Sequence, residues 1–142
     1  MATTLTRADS FTPLKRKQEF FSDFINSFSK TPIGDQLGRV TNEQAVNQAL
    51  RNLVKTNLGE RLYQPGIGSN IYASLFELVT PPLLNALEFY IENTIRINER
   101  RINLVGTKVT SDKDNSLVVT LVYNLINNPE LITYSIILKR IR

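Results

Sequence analysis

The chain has no cysteine, no histidine and no tryptophan among its 142 residues, and a single methionine. Without cysteine there is no disulfide, no thiolate nucleophile and no sulfur-ligated zinc. Without histidine, the imidazole-based triads, acid–base pairs and usual zinc sites go as well. A carboxylate-only mechanism, or a carboxylate-bound Mg²⁺ or Ca²⁺, is what stays open. No apolar run reaches the roughly 18 residues that a membrane-crossing helix needs. Residues 1–17 mix threonines with charges and lack the apolar stretch of a secretory signal. The expectation is a protein made and used in a cytoplasm, or one that leaves the cell by another route.

What is present is ordinary globular composition, 42% hydrophobic and 21% charged, enough for one core but not for two. The net charge of +4 is mild. Its cations gather in small clusters, Lys15-Arg16-Lys17, Arg100-Arg101 and Lys139-Arg140 with Arg142. No nucleic-acid motif accompanies any of them, so nucleic acid is not an expected partner. They read first as solvated surface charge and second as contacts for an acidic protein neighbour.

Residues 1–19 read as a polar arm with too little apolar surface to fold alone, and residues 20–142 as one domain. That domain opens on Phe20, Phe21, Phe24, Ile25 and Phe28, whose spacing predicts a short amphipathic helix. Such a segment either docks on the main core or is an anchor offered to another subunit. Thr41 and Gln44 read as a capping box at the start of a helix carrying Ala45, Val46, Ala49, Leu50, Leu53 and Val54. Gly59 is placed to end it. Gly68 and Ser69 read as a turn and the cap of a short helix with Ile71, Leu75, Phe76 and Val79. Thr80 caps a longer helix, with Pro81 in its first turn and Leu84, Leu87, Ile91 and Ile95 along one face to about Asn98.

From Ile102 the periodicity changes to two. Leu117, Val119, Leu121, Tyr123 and Leu125 fall on one side of a strand, and Ile132, Tyr134, Ile136 and Leu138 on one side of the next, over residues 131–138. Residues 112–115 and 127–130 read as turns. The fold class is therefore α+β, with N-terminal helices packed on a C-terminal three-stranded antiparallel β-meander. Both faces of the last two strands are apolar, and a meander has two edges that little here blunts before Lys139. Either the helices and the arm cover everything, or another chain covers a face or adds a strand.

One ordered set of short strings carries a resemblance. It runs Asn52-Leu53-Val54-Lys55-Thr56, Gly59-Glu60-Arg61, Gln64-Pro65, Gly68-Ser69, Leu75-Phe76-Glu77 and Asn98-Glu99-Arg100-Arg101-Ile102. In order and spacing these resemble the baseplate wedge family of contractile tails. That family is also called lysozyme-like and is related to a type VI secretion baseplate component. The close of the chain, from Tyr123 to Arg142, is similar to members from T4-like phages, and the likeness covers roughly residues 20–142. One position departs from it. The family motif at the helix–strand junction is Glu-Pro-Arg, and Arg100 stands where its proline would fix the turn.

The resemblance implies a structural subunit that joins the wedge core to the tail sheath and initiates sheath assembly. Its place would be the virion baseplate, with the host cytoplasm during assembly. Expected partners are the wedge core-bundle proteins and the sheath subunit, with the tail tube as a further candidate; no membrane and no cofactor are expected. Glu99, Arg100, Arg101 and Arg61 would face the wedge, and Tyr134, Ile136 and Leu138 the sheath. Gly59, Glu60, Gly68, Ser69 and Glu77 would shape the loop, with Arg61 bracing it against Glu77 or Glu99. The residues alone also admit a transient assembly chaperone or a freestanding binding module. A glycosidase needs two carboxylates about 5–10 Å apart, one with a raised pKa. Glu60 and Glu77 are the only pair near one loop, and arginines nearby would lower a carboxylate pKa. The chain is not expected to be an enzyme.

Overall fold

The period-two alternation after Ile102 becomes three long strands in the computed structural model, which describes residues 18–31, 34, 36–112 and 116–139. They are β3 (Ile102–Ser111), β4 (Ser116–Leu125) and β5 (Asn128–Lys139), in the antiparallel order β3-β4-β5. Val119 at the centre pairs with Val109 on one side and Ile136 on the other. The predicted inward set on β4, Leu117, Val119, Leu121, Tyr123 and Leu125, is buried throughout. β5 starts at Asn128, earlier than the sequence suggests, because a register shift at Asn124/Leu125 lets the reversal close in two residues, Ile126 and Asn127. Pro129 then stands near the start of an edge strand, where a missing N–H costs little.

Ahead of the sheet lie a two-stranded ribbon and three helices. The ribbon is β1 (Ser22–Phe24) with β2 (Arg39–Thr41), and the helices are α1 (Asn42–Lys55), α2 (Ile71–Ser74) and α3 (Pro81–Asn98). The apolar stripes read from the sequence are the ones that bury. α1 contributes Ala45, Val46, Leu50, Leu53 and Val54, and α3 contributes Leu87, Ile91 and Ile95. Most of these join the inward strand residues in one apolar cluster. Two polar ties reach from helix to strand: the Tyr123 hydroxyl donates to Asn47 Oδ1, and Val109 N–H donates to Glu88 Oε1 at 2.8 Å. Burial pushes the Tyr123 phenol well above its usual pKa, so it stays a donor at any ordinary pH.

Several local expectations give way. The phenylalanine segment is not a helix. Its centre is β1, Phe28 takes a left-handed φ of 49°, and Phe20, Phe24 and Phe28 are exposed. The pairing of β1 with β2 meets the backbone needs a helix would otherwise have met. Thr41 precedes α1 in extended conformation without a side-chain cap bond. The neighbouring asparagine does the tethering instead: Asn42 Oδ1 accepts from the Phe20 and Phe21 N–H groups, and its Nδ2 donates to the Gln18 carbonyl. The expected arm, residues 1–19, lies almost wholly outside the described residues.

Gly59 does have a positive φ of 84°, but α1 has already ended at Lys55. Ser69 is no helix cap either. It is buried, its Oγ donating to the Val54 carbonyl at 2.7 Å and its N–H to the Thr56 carbonyl at 2.8 Å. The return loop is thereby stitched to the free carbonyls at the end of α1. Gly68 makes that approach feasible. A Cβ there would sit 2.7 Å from the Thr56 oxygen, at a φ of +146°. Phe76, expected in the core, is exposed because α2 stops at Ser74, before its second turn.

Gly68→Ala should therefore cost about 2–4 kcal/mol in urea denaturation, from backbone strain and loss of the stitch. Gly66→Ala, in open space, should stay within about 0.5 kcal/mol of wild type. Equal midpoints for the two variants would refute the stitch.

Candidate functional site

The last of the family-like strings, residues 98–102, forms the corner where α3 leaves for β3. Glu99 caps the helix, donating its N–H to the Ile95 carbonyl at 2.8 Å, with φ −117° and ψ 95°. On an extended backbone residues i and i+2 share a side, so Glu99 and Arg101 meet. Arg101 Nε donates to Glu99 Oε1 at 2.8 Å and Nη2 to Oε2 at 2.6 Å, while the Arg101 N–H reaches Oε1 at 3.2 Å. This is the two-pronged grip for which a guanidinium is shaped. The other face of Arg101 lies over the Phe21 ring, 5.8 Å from its centroid, and its carbonyl accepts from Ile126 N–H at 3.1 Å. One residue thus ties the end of α3, the start of β3, the N-terminal segment and the β4–β5 turn, the last through its backbone carbonyl.

The carboxylate of Glu99 is nearly buried. Burial by itself pushes its pKa up, but the side-chain and backbone hydrogen bonds of Arg101, with its charge, outweigh that and hold it below the usual value. The same hydrogen bonds raise the pKa of Arg101 against the opposing effect of its own partial burial. Of the three residues expected to face the wedge here, two are spent on each other. Arg100 is exposed.

Arg61 is exposed on the loop and makes no ion pair among the described residues, so it does not brace against Glu99, whose two oxygens Arg101 holds. Glu60 accepts from the Asn57 N–H at 2.8 Å and Gly59 donates to the Pro65 carbonyl at 2.9 Å, which folds the loop on itself. Glu77 is exposed beyond α2. Leu62 and Tyr63 on the first loop, and Phe76 and Leu78 beside Glu77, stand open to solvent.

The two sheet edges differ. Glu88 reaches from α3 to take the Val109 N–H, guarding β3. β5 is the other edge strand. Here the side-chain expectation needs correction: Ile136 and Leu138 are 3% exposed and belong to the core, so neither side chain can meet a partner. Tyr134 is half-buried, and the outward residues are Leu131, Thr133, Ser135 and Ile137. What β5 can offer is backbone together with those four. Glu88 and Asn42 escaped the sequence reading, and Phe21 was read as an apolar anchor rather than as the ring beneath Arg101. For Glu88 the only signal was a carboxylate one position off the buried stripe of α3.

The sign of the Glu99 shift fixes a pH dependence. A carboxyl with a depressed folded pKa adds stability that is full above its unfolded pKa and is lost as pH falls through the folded value. Arg101→Ala should remove that component and leave a buried carboxylate alone, costing about 3 kcal/mol at neutral pH. In the variant the Glu99 carboxyl, followed by ¹³C NMR titration, should titrate above the ordinary glutamate range. A pKa still below that range would mean that Arg101 is not its main partner.

Comparison with known proteins gives the family. The family described as baseplate wedge protein gp25 matches residues 40–130. The baseplate wedge protein gp25 of Enterobacteria phage T4 is 26% identical over 113 residues, covering 79% of this chain and 85% of the T4 protein. Among solved structures, a putative tail lysozyme from Geobacter sulfurreducens shares the fold with a TM-score of 0.65 at 18% identity, over 70% of this chain and 92% of that one. A chain of the anti-feeding prophage baseplate does so with a TM-score of 0.59 at 21% identity, over 86% and 87%. A lysozyme name is carried by that neighbour, whereas the family and the T4 relative are described as baseplate wedge proteins. The match runs from the ribbon through the corner into β5, and on that ground this chain belongs to the baseplate wedge gp25 family of contractile tail systems.

Proposed function

We propose that the chain is a connector in the baseplate, joining the wedge core to the tail sheath and giving the first sheath ring a strand edge on which to assemble. In this reading the helices, packed on the inner face of the meander, set the sheet at a fixed angle to the wedge. The corner at Glu99-Arg100-Arg101 seats on the wedge proteins. Glu99 and Arg101 hold its shape, while Arg100 and Arg61, both exposed, are the cations that reach the neighbour. The loop residues Leu62 and Tyr63, over 90% exposed, supply apolar contact beside Arg61.

The observation that carries the sheath half is the unequal guarding of the two edges. Glu88 occupies a backbone donor of β3, whereas β5 has Leu131, Thr133, Ser135 and Ile137 outward and no charge between Glu130 and Lys139. A strand without inward charges, proline or bulge along that stretch accepts another strand. The chain would act in the virion baseplate after assembling in the host cytoplasm.

The test is a pull-down of the tagged chain co-expressed with the wedge and sheath proteins of its own genome. Wild type should retain wedge proteins, and Arg61→Glu with Arg100→Glu should lose them while keeping its fold by circular dichroism. Retention of nothing by wild type would defeat the connector reading.

A further inference from the structure

Three cavities lie end to end between β5 and α1. The first, of about 480 Å³, is lined on these two walls by residues including Glu130, Leu131, Ile132 and Thr133 of β5 and Asn42 and Glu43 of α1. The second, about 350 Å³, lies between Tyr134 and Gln44, Asn47, Gln48 and Arg51. The third, about 520 Å³, takes Ile137, Leu138 and Lys139 against Arg51 and Lys55, with Tyr72 and Leu75 beneath. Arg51 belongs to both the second and the third, and the first follows in residue order along both walls. The N-terminal segment closes the side with Gln18, Phe20 and Phe21 at the first and Ile25 and Asn26 at the second, so the series makes a trough beside β5.

The trough is electrically polar, and both walls run the same way. On α1 the residues Glu43, Asn47, Arg51 and Lys55 follow at i+4 spacing and share one stripe. On β5 the order is Glu130, Tyr134, Lys139. Among the described residues, glutamates therefore line one end without a cation, and Arg51, Lys55 and Lys139 the other without a carboxylate. The helix dipole favours Glu43 and Lys55 on their own wall but does nothing for the matching charges on β5. Like charges facing across the trough repel. An occupant with the opposite charge at each end would relieve both ends at once.

We infer that the trough selects an extended segment of a neighbouring protein by charge, with acidic residues seated among Arg51, Lys55 and Lys139 and basic residues at the Glu43 and Glu130 end. The inference rests on the strand-addition reading of β5 and adds direction and register to it. Every pair in this sheet is antiparallel, and that ladder is the more stable one, so the segment runs opposite to β5 and its acidic residues come first. About nine residues span the distance from Glu130 to Lys139. This chain's own residues 1–17 do not fit the basic end, carrying Arg7, Lys15, Arg16 and Lys17 against Asp9. A one-residue slip would turn every side chain of the added strand to the wrong face, and fixed charge at both ends penalises such a slip.

The test uses the full chain and three fluorescein-labelled peptides read by anisotropy at low salt. They are Glu-Glu-Thr-Val-Thr-Val-Thr-Lys-Lys, its reversal with the lysines first, and a neutral version with glutamine at all four charged places. The first should bind about tenfold more tightly than the reversal, and the preference should shrink as salt is raised. Lys55→Glu with Lys139→Glu should abolish the preference. Lys108→Glu, the same charge change on β3, should leave it intact. Equal binding of all three peptides, or preference for the reversal, would overturn the charge selection while leaving strand addition standing. No binding of any peptide would overturn both. Self-association of the chain that Lys139→Glu dissolves, seen by sedimentation, would assign the trough to a second copy and overturn the inference.

Discussion

The grip of Arg101 on Glu99 is the constraint from which the rest of the molecule takes its orientation. α3 and β3 are joined with almost no connecting loop, so the angle between helix and sheet depends on what the backbone does over residues 99–101. A proline at position 100, as the resembling motif has, would fix that angle covalently. Here an ion pair fixes it, closed across residues on one side of an extended backbone. Such a pair adds little net stability, since desolvating two charges costs nearly what their attraction returns. It specifies one geometry. By stacking on Phe21 and holding the β4–β5 turn through its carbonyl, Arg101 spreads that geometry to the N-terminal ribbon and to the start of β5.

The consequences reach both surfaces on which a connector depends. With Glu99 and Arg101 turned toward each other, the corner presents Arg100 rather than the pair itself, and in the proposed connector a neighbour would meet a fixed shape bearing one outward cation. At the sheet, the corner settles which edge is shielded. α3, held at this angle, runs along β3 and places Glu88 on its backbone, while β5 is left facing a trough walled by α1. Guarding one edge and leaving the other open is what a protein needs if it is to be extended by one neighbour in one direction without polymerising.

The sequence was most readable where one physical requirement dominates. The buried stripes of α1 and α3 and the inward set of β4 follow directly from periodicity, because removing an apolar stripe from water outweighs every local preference in those segments. The family strings were legible for the same reason they matter: they mark backbone that must close tightly, as at Gly68 and Ser69. What periodicity could not show was competition. The phenylalanine segment has helical spacing, but pairing with residues 39–41 won. Thr41 looks like a cap, but Asn42 had a better task in tethering the incoming chain. The Glu99–Arg101 pair was legible as a motif but not as an internal clamp, since nothing local says whether adjacent charges will face inward or out. Ile136 and Leu138 were placed on the correct face of their strand, yet assigned to a partner that only the backbone of β5 and its outward residues can touch.

A connector of this kind requires that the sheath protein build on β5 and leave β3 alone. Amide hydrogen exchange of the chain with and without its own sheath subunit examines this directly. Slowed exchange confined to residues 131–139, with β3 unchanged, is the predicted result. Unchanged exchange across β5 in the presence of bound sheath, or new protection along β3 instead, would contradict it.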